Sequence, residues 1–154
     1  MRFGNSLYLL LLLVSVSFGI NPSLYSNQSL TDLIEANHNI TEQYESGMSF
    51  GDGRYKCVAI YTGEYRGIGA DKLGFIRAFL SMLNYDLSFA DYYVYEVRFE
   101  ESDCSFWIPV QDNLIPYFEA EVSNDDAIVI YYTYLGFDHD SDEWIFLIND
   151  FETL

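Results

Sequence analysis

Hydrophobic positions are densest near the C-terminal end of the chain. Ala127-Ile-Val-Ile-Tyr-Tyr-Thr-Tyr-Leu-Gly-Phe137 and Trp144-Ile-Phe-Leu-Ile-Asn-Asp-Phe151 are β-branched and aromatic runs on either side of Asp138-His-Asp-Ser-Asp-Glu143. The pattern predicts a β-hairpin with a longer-than-minimal loop. Both runs are apolar on both faces, so each strand needs a cover on either side.

The preceding segments show cleaner periodicities. Arg54-Tyr-Lys-Cys-Val-Ala-Ile-Tyr-Thr62 alternates, with Tyr55, Cys57, Ala59 and Tyr61 on one face, until Gly63, Gly67 and Gly69 break the run. Leu73, Ile76, Phe79, Leu80 and Leu83 recur at helical spacing; Asp71 is the expected N-cap and Asn84 the stop. Residues 92–100 alternate again, with Tyr93, Tyr95, Val97 and Phe99 as the apolar face. A turn at 101–103 leads to a strand at 104–110, whose Pro109 belongs at an edge or at the strand's close. Asp112 is placed to cap a short helix over 113–122 that tolerates Pro116 in its first turn.

The order from Arg54 is thus strand, helix, strand, strand, helix, strand, strand. Setting aside the helix at 71–84 leaves a five-stranded order with a helix between the third and fourth strands, as in the OB-fold, a small Greek-key barrel. The expected class is mainly β with two or three helices (α+β). A barrel also covers the doubly apolar hairpin. The alternative is an open antiparallel sheet with helices on one face.

The N-terminal third differs in tone. Arg2, the apolar run Leu7-Tyr-Leu-Leu-Leu-Leu-Leu-Val14 and the small residues Ser17-x-Gly19 describe a signal peptide over 1–19, cleaved after Gly19. Residues 20–53 read as a linker and a peripheral helix, started by Ser29 or Thr31, carrying Leu30, Leu33, Ile34, Ile40 and Tyr44, and ended by Gly47. Residues 54–154 form a single β-rich domain. The expected location is secreted or periplasmic, with no membrane insertion after cleavage.

Charge narrows the partners. The chain has 24 Asp and Glu against 7 Lys and Arg, a formal net charge of −17, and its last basic residue is Arg98. Such a field repels nucleic acid and suits a basic protein partner. The oxidising compartment and the strand positions of Cys57 and Cys104 predict a disulfide between them.

Candidate chemistry is sparse. Asp138, Asp140 and Asp142 resemble the start of a calcium loop, but Glu143 stands where that loop needs Gly. Calcium is the candidate ion this pattern suggests, His139 is a weak signal for a transition metal, and no cofactor is expected. Tyr92, Trp107, Tyr132 and Tyr134 are candidate binding aromatics if they face outward. The two histidines, His38 and His139, give no nucleophile constellation, and the reading leans away from an enzyme. The expected function is an acidic protein-binding module of the inhibitor or immunity type. A saccharide- or peptide-binding OB-like module is the alternative, and a small hydrolase with an unassigned carboxylate site is the third.

Overall fold

Strands that are apolar on both faces need a core on one side and a cover on the other, and a closed sheet supplies the first. The computed structural model describes residues 20–154, so the expected signal peptide at 1–19 lies outside the described residues. Seven strands are described: β1 (Ser26–Asn27), β2 (Met48–Phe50), β3 (Arg54–Gly67), β4 (Tyr93–Glu101), β5 (Cys104–Gln111), β6 (Asp126–Asp138) and β7 (Glu143–Thr153). The α-helices are α1 (Leu30–Ala36), α2 (Ala70–Met82) and α3 (Ile115–Glu121).

β3, β4, β5, β7 and β6 follow one another round a closed five-stranded barrel, and β6 returns to pair with β3. All contacts round the barrel are antiparallel except β5–β7, which is parallel and registered at Val110 opposite Ile148. Counting β3 as the first strand, this is the expected OB-like order, with α3 between the third and fourth strands. β1 adds to β3 in parallel, and β2 adds to the end of β6.

Alternation sends Val97 and Phe99 of β4, Ile108 of β5, Ile130 and Tyr132 of β6, and Phe146 and Ile148 of β7 into the barrel. α1 closes one mouth with Leu30 and Leu33. At the other mouth Phe118 of α3 stacks on Phe151 at 4.2 Å and on Tyr61 at 5.3 Å. The outer side of the hairpin is covered twice. Phe75, Ile76, Phe79 and Leu80 of α2 lie over Leu135, Ile145 and Leu147. Nearer the other end, Tyr25 meets Tyr131 edge-on at 5.1 Å, with Ile20 and Val129 beside them.

Several expectations are refined. Gly63, at φ +76°, makes a bulge rather than ending the strand, so β3 runs on to Gly67. A second bulge between Tyr93 and Tyr95 leaves Tyr95 exposed, away from the core that Val97 and Phe99 join. Asp71 and Asp112 lie in the first turns of their helices, while Gly69 and Gln111 hold the cap positions. Asn84, at φ +58°, ends the α2 region as expected. Ser29 caps α1 by accepting from Asp32 N–H at 3.0 Å, but α1 stops at Ala36 and a 3-10 turn follows, well short of Gly47. The stretch 20–53 supplies β1, β2 and two buried core leucines, Leu30 and Leu33, at 0% and 5% exposure.

The expected Cys57–Cys104 disulfide is corrected: both cysteines are free. Cys57 lies on β3 and Cys104 on β5, with β4 between them. Two strand spacings are about 10 Å, beyond the roughly 7 Å Cα separation a disulfide can bridge. Cys104 instead faces Glu101 across the β4–β5 turn and is exposed.

Candidate functional site

The same alternation that sends Val97, Phe99 and Ile108 inward turns Glu96, Arg98, Glu100, Ser105 and Trp107 outward. After its bulge, β3 adds Arg66 to this face, opposite Glu96, and Arg98 stands opposite Trp107. Arg66 lies over the Trp107 ring, 4.4 Å from its centroid, and its Nε donates to Glu96 Oε2 at 2.7 Å. Arg98 forks to Glu64 at 2.7 Å and Glu100 at 2.8 Å, with Ser105 Oγ at 3.2 Å.

Lys72 joins the face from the first turn of α2. Its Nζ donates to Glu96 Oε1 and to the Trp107 carbonyl, the latter at 3.1 Å, and Glu143 Oε2 is 3.6 Å away. Lys72 is thereby shared between a carboxylate of β4 and a backbone carbonyl of β5, which ties the start of α2 to the barrel wall. The Lys72 and Glu96 side chains are 6% and 2% exposed, so each charge needs the other.

The result is a paired-charge surface on the second and third barrel strands. It is flanked by α2 from the first connection and by Glu143, the first residue of β7 after the hairpin loop. In OB-like barrels this face, between these two connections, is the usual ligand surface.

The binding aromatics expected from sequence do not come together. Trp107 is half-buried on this face beneath Arg66. Tyr92 is exposed in the turn before β4 and stacks on Phe89 at 6.4 Å. Tyr132 and Tyr134 are 0% and 3% exposed in the barrel core, which removes them from any outer stacking platform. Burial raises both phenols, Tyr134 to about 12.

The three loop aspartates do different jobs. Asp138 is buried and accepts from Asp140 N–H at 3.1 Å and Ser141 Oγ at 2.9 Å, which shapes the turn. Asp140 accepts from Gly47 N–H at 3.2 Å, while Asp142 is exposed. No group of three or more His, Cys, Asp or Glu side chains converges among the described residues. His139 bonds Ser49 Oγ at 2.7 Å and ties the loop to β2.

Sequence reasoning missed Arg66, Lys72, Glu96 and Arg98. Their signal was scarcity: three of only seven basic residues gather at one face. It also missed Glu101, expected as a turn residue. Glu101 points inward and accepts from Leu30 N–H and Thr31 N–H at 2.9 Å each and from Thr31 Oγ1 at 2.6 Å. Burial pushes this carboxyl up, but the Thr31 and Leu30 donors outweigh burial and hold it below its ordinary value. The neighbouring Cys57 thiol is pushed up by burial and by Glu101, which keeps it a thiol.

No protein-family model, curated protein or solved structure matches this chain. The OB-like description therefore rests on strand order and register alone. No helix among the described residues is long and apolar enough to cross a membrane.

Proposed function

We propose that the chain is a secreted or periplasmic binding module that docks a basic protein partner on the outer face of β4 and β5. One observation carries this reading. The face holds Arg66 on Trp107, residue types that anchor interfaces. Glu64 and Glu100 sit at its border, 53% and 42% exposed and held by Arg98. They offer a basic partner paired carboxylates at the rim of an aromatic and guanidinium centre. The net charge of −17 steers such a partner toward the molecule. Burial of Tyr132 and Tyr134 takes weight from the saccharide alternative, which needs several outward rings.

The test uses the chain secreted by its native source. A basic protein is retained by the wild type at low salt and released as salt rises, because exposed charges are screened. Trp107→Ala combined with Arg66→Ala weakens that retention about tenfold or more. Val58→Ser, on the exposed outer side of β3 away from the face, leaves it unchanged. Retention indifferent to both the salt and the double substitution rules the face out. Glycan binding that survives high salt moves the assignment to the saccharide class.

A further inference from the structure

Near the end of β7 a carboxylate is set among groups of its own sign. Asp150 is half-buried. Glu152 on the same strand and Glu121 at the end of α3 both face it, and burial together with these acids holds its ionisation above the ordinary carboxylate range. Tyr25 and Tyr131 complete its surroundings; Arg54 of β3 acts on Tyr25, and Lys56 lies over the Tyr131 ring at 5.7 Å. None of the ion pairs among the described residues includes Asp150. Among the described residues its carboxylate accepts from the backbone N–H groups of Phe151, at 2.9 Å, and Ile20; Asp150 stands opposite Tyr131 in the β6–β7 pair, and Ile20 packs on the same tyrosine cluster.

Ile20 is anchored as well as bonded. Its side chain packs on the cluster of Tyr25 and Tyr131, beside the strand position that Asp150 occupies opposite Tyr131. It is also the residue that follows Ser17-x-Gly19, the expected cleavage pattern.

We propose that Ile20 is the mature N-terminus and that its new α-ammonium seats on Asp150, so that processing itself locks the N-terminal segment onto the barrel. This rests on the reading of residues 1–19 as a signal peptide. Hydrolysis of the Gly19–Ile20 bond by a peptidase consumes one water. It leaves a carboxylate on Gly19 and an ammonium on Ile20. The uncut chain offers Asp150 an amide N–H; the cut chain offers a positive charge with three donors, and such charge-assisted bonds are the stronger kind. The locked segment carries Tyr25 and β1 and leads into the Ser29 cap of α1. An ammonium that gains a carboxylate has its folded-state pKa raised above the unfolded value of roughly 7.7–8.0. Its contribution is complete below that value and is lost as pH rises through the folded one.

The experiment has two arms. Intact mass of the naturally secreted protein is expected to begin at Ile20. A start at Asn21 or beyond overturns the pairing while leaving secretion standing; a retained Met1 overturns both. In the second arm, residues 20–154, which carry the whole barrel, are compared with the same chain Nα-acetylated and with the chain beginning at Gly19. At pH 6 the free Ile20 chain unfolds roughly 2–4 °C higher than either. The gap closes above pH 10 and is absent in Asp150→Asn. Equal midpoints for all three chains at pH 6, or a gap that persists in Asp150→Asn, overturns the proposal.

Discussion

Glu101 is 8% exposed at the end of β4, and Thr31 and Leu30 point three donors at it. These N–H groups open α1, where a carboxylate also meets the positive end of the helix dipole. Removing the acceptor leaves them buried and unpaired, so Glu101→Ala is expected to cost roughly 2–3 kcal/mol in urea unfolding. The pH dependence has a definite sign. The folded carboxyl ionises below its ordinary value, so its stabilisation is complete above the unfolded pKa and is lost as pH falls through the folded one. An acid titration of the wild type therefore carries a component that Glu101→Gln lacks; identical acid limbs for the two proteins refute it. The tyrosines act at the other extreme. Burial raises Tyr25, Tyr131 and Tyr134 to about 12, so each folded phenol keeps its proton where the unfolded one loses it. Stability is thus expected to fall as pH rises from 10 toward 12, with loss of near-UV circular dichroism tracking the appearance of tyrosinate absorbance.

At the scale of elements, α2 has two tasks, and the sequence announced only one. Its Ile76, Phe79 and Leu80 face, with Leu73 and Leu83 at its margin, was legible as helical periodicity, because burial against a sheet demands that spacing; Phe75, which lies in the same core, was not part of that stripe. The doubly apolar hairpin was legible too, because each face needed a cover. Lys72 was not legible. A lysine in the first turn of a helix reads as solvated, and only the tertiary placement of Glu96 and the Trp107 carbonyl beside it explains why it is buried. The disulfide expectation failed for a related reason. Strand membership of Cys57 and Cys104 was right, but the lateral order that puts β4 between them is a long-range property that alternation does not encode. The face of Tyr132 and Tyr134 was open for the same reason, since a run apolar on both sides does not say which side is the core. The Lys72–Glu96 pair gives a prediction. Lys72→Met leaves the buried Glu96 carboxylate with only the half-exposed Arg66, at a cost of about 3 kcal/mol. Combining it with Glu96→Gln recovers a measurable part of that loss, because the buried carboxylate is then neutral. Strict additivity of the two substitutions in chemical unfolding refutes the coupling.

For the molecule as a whole, strand order and charge pull the functional reading in opposite directions. An OB-like barrel invites the thought of single-stranded nucleic acid on its β4–β5 face. Proteins that bind such strands line the face with unengaged cations that track the phosphates and with aromatic rings open for stacking. Here Arg66, Lys72 and Arg98 each already hold a carboxylate: Glu96 for the first two, Glu64 and Glu100 for the third. The ring beneath Arg66, Trp107, is covered by its guanidinium. A phosphate would have to displace a carboxylate at every position while approaching a molecule of net charge −17. Counterion release cannot drive that exchange, because the cations arrive already neutralised. No binding to a fluorescent single-stranded DNA or RNA is therefore expected at physiological salt. The informative control is Glu64→Gln combined with Glu100→Gln, which frees Arg98 without touching the buried Lys72–Glu96 pair. If charge pairing is what closes the face, this variant gains weak, salt-sensitive binding at low ionic strength. A submicromolar, salt-sensitive complex with the wild type would show instead that the face is open to phosphates despite its carboxylates.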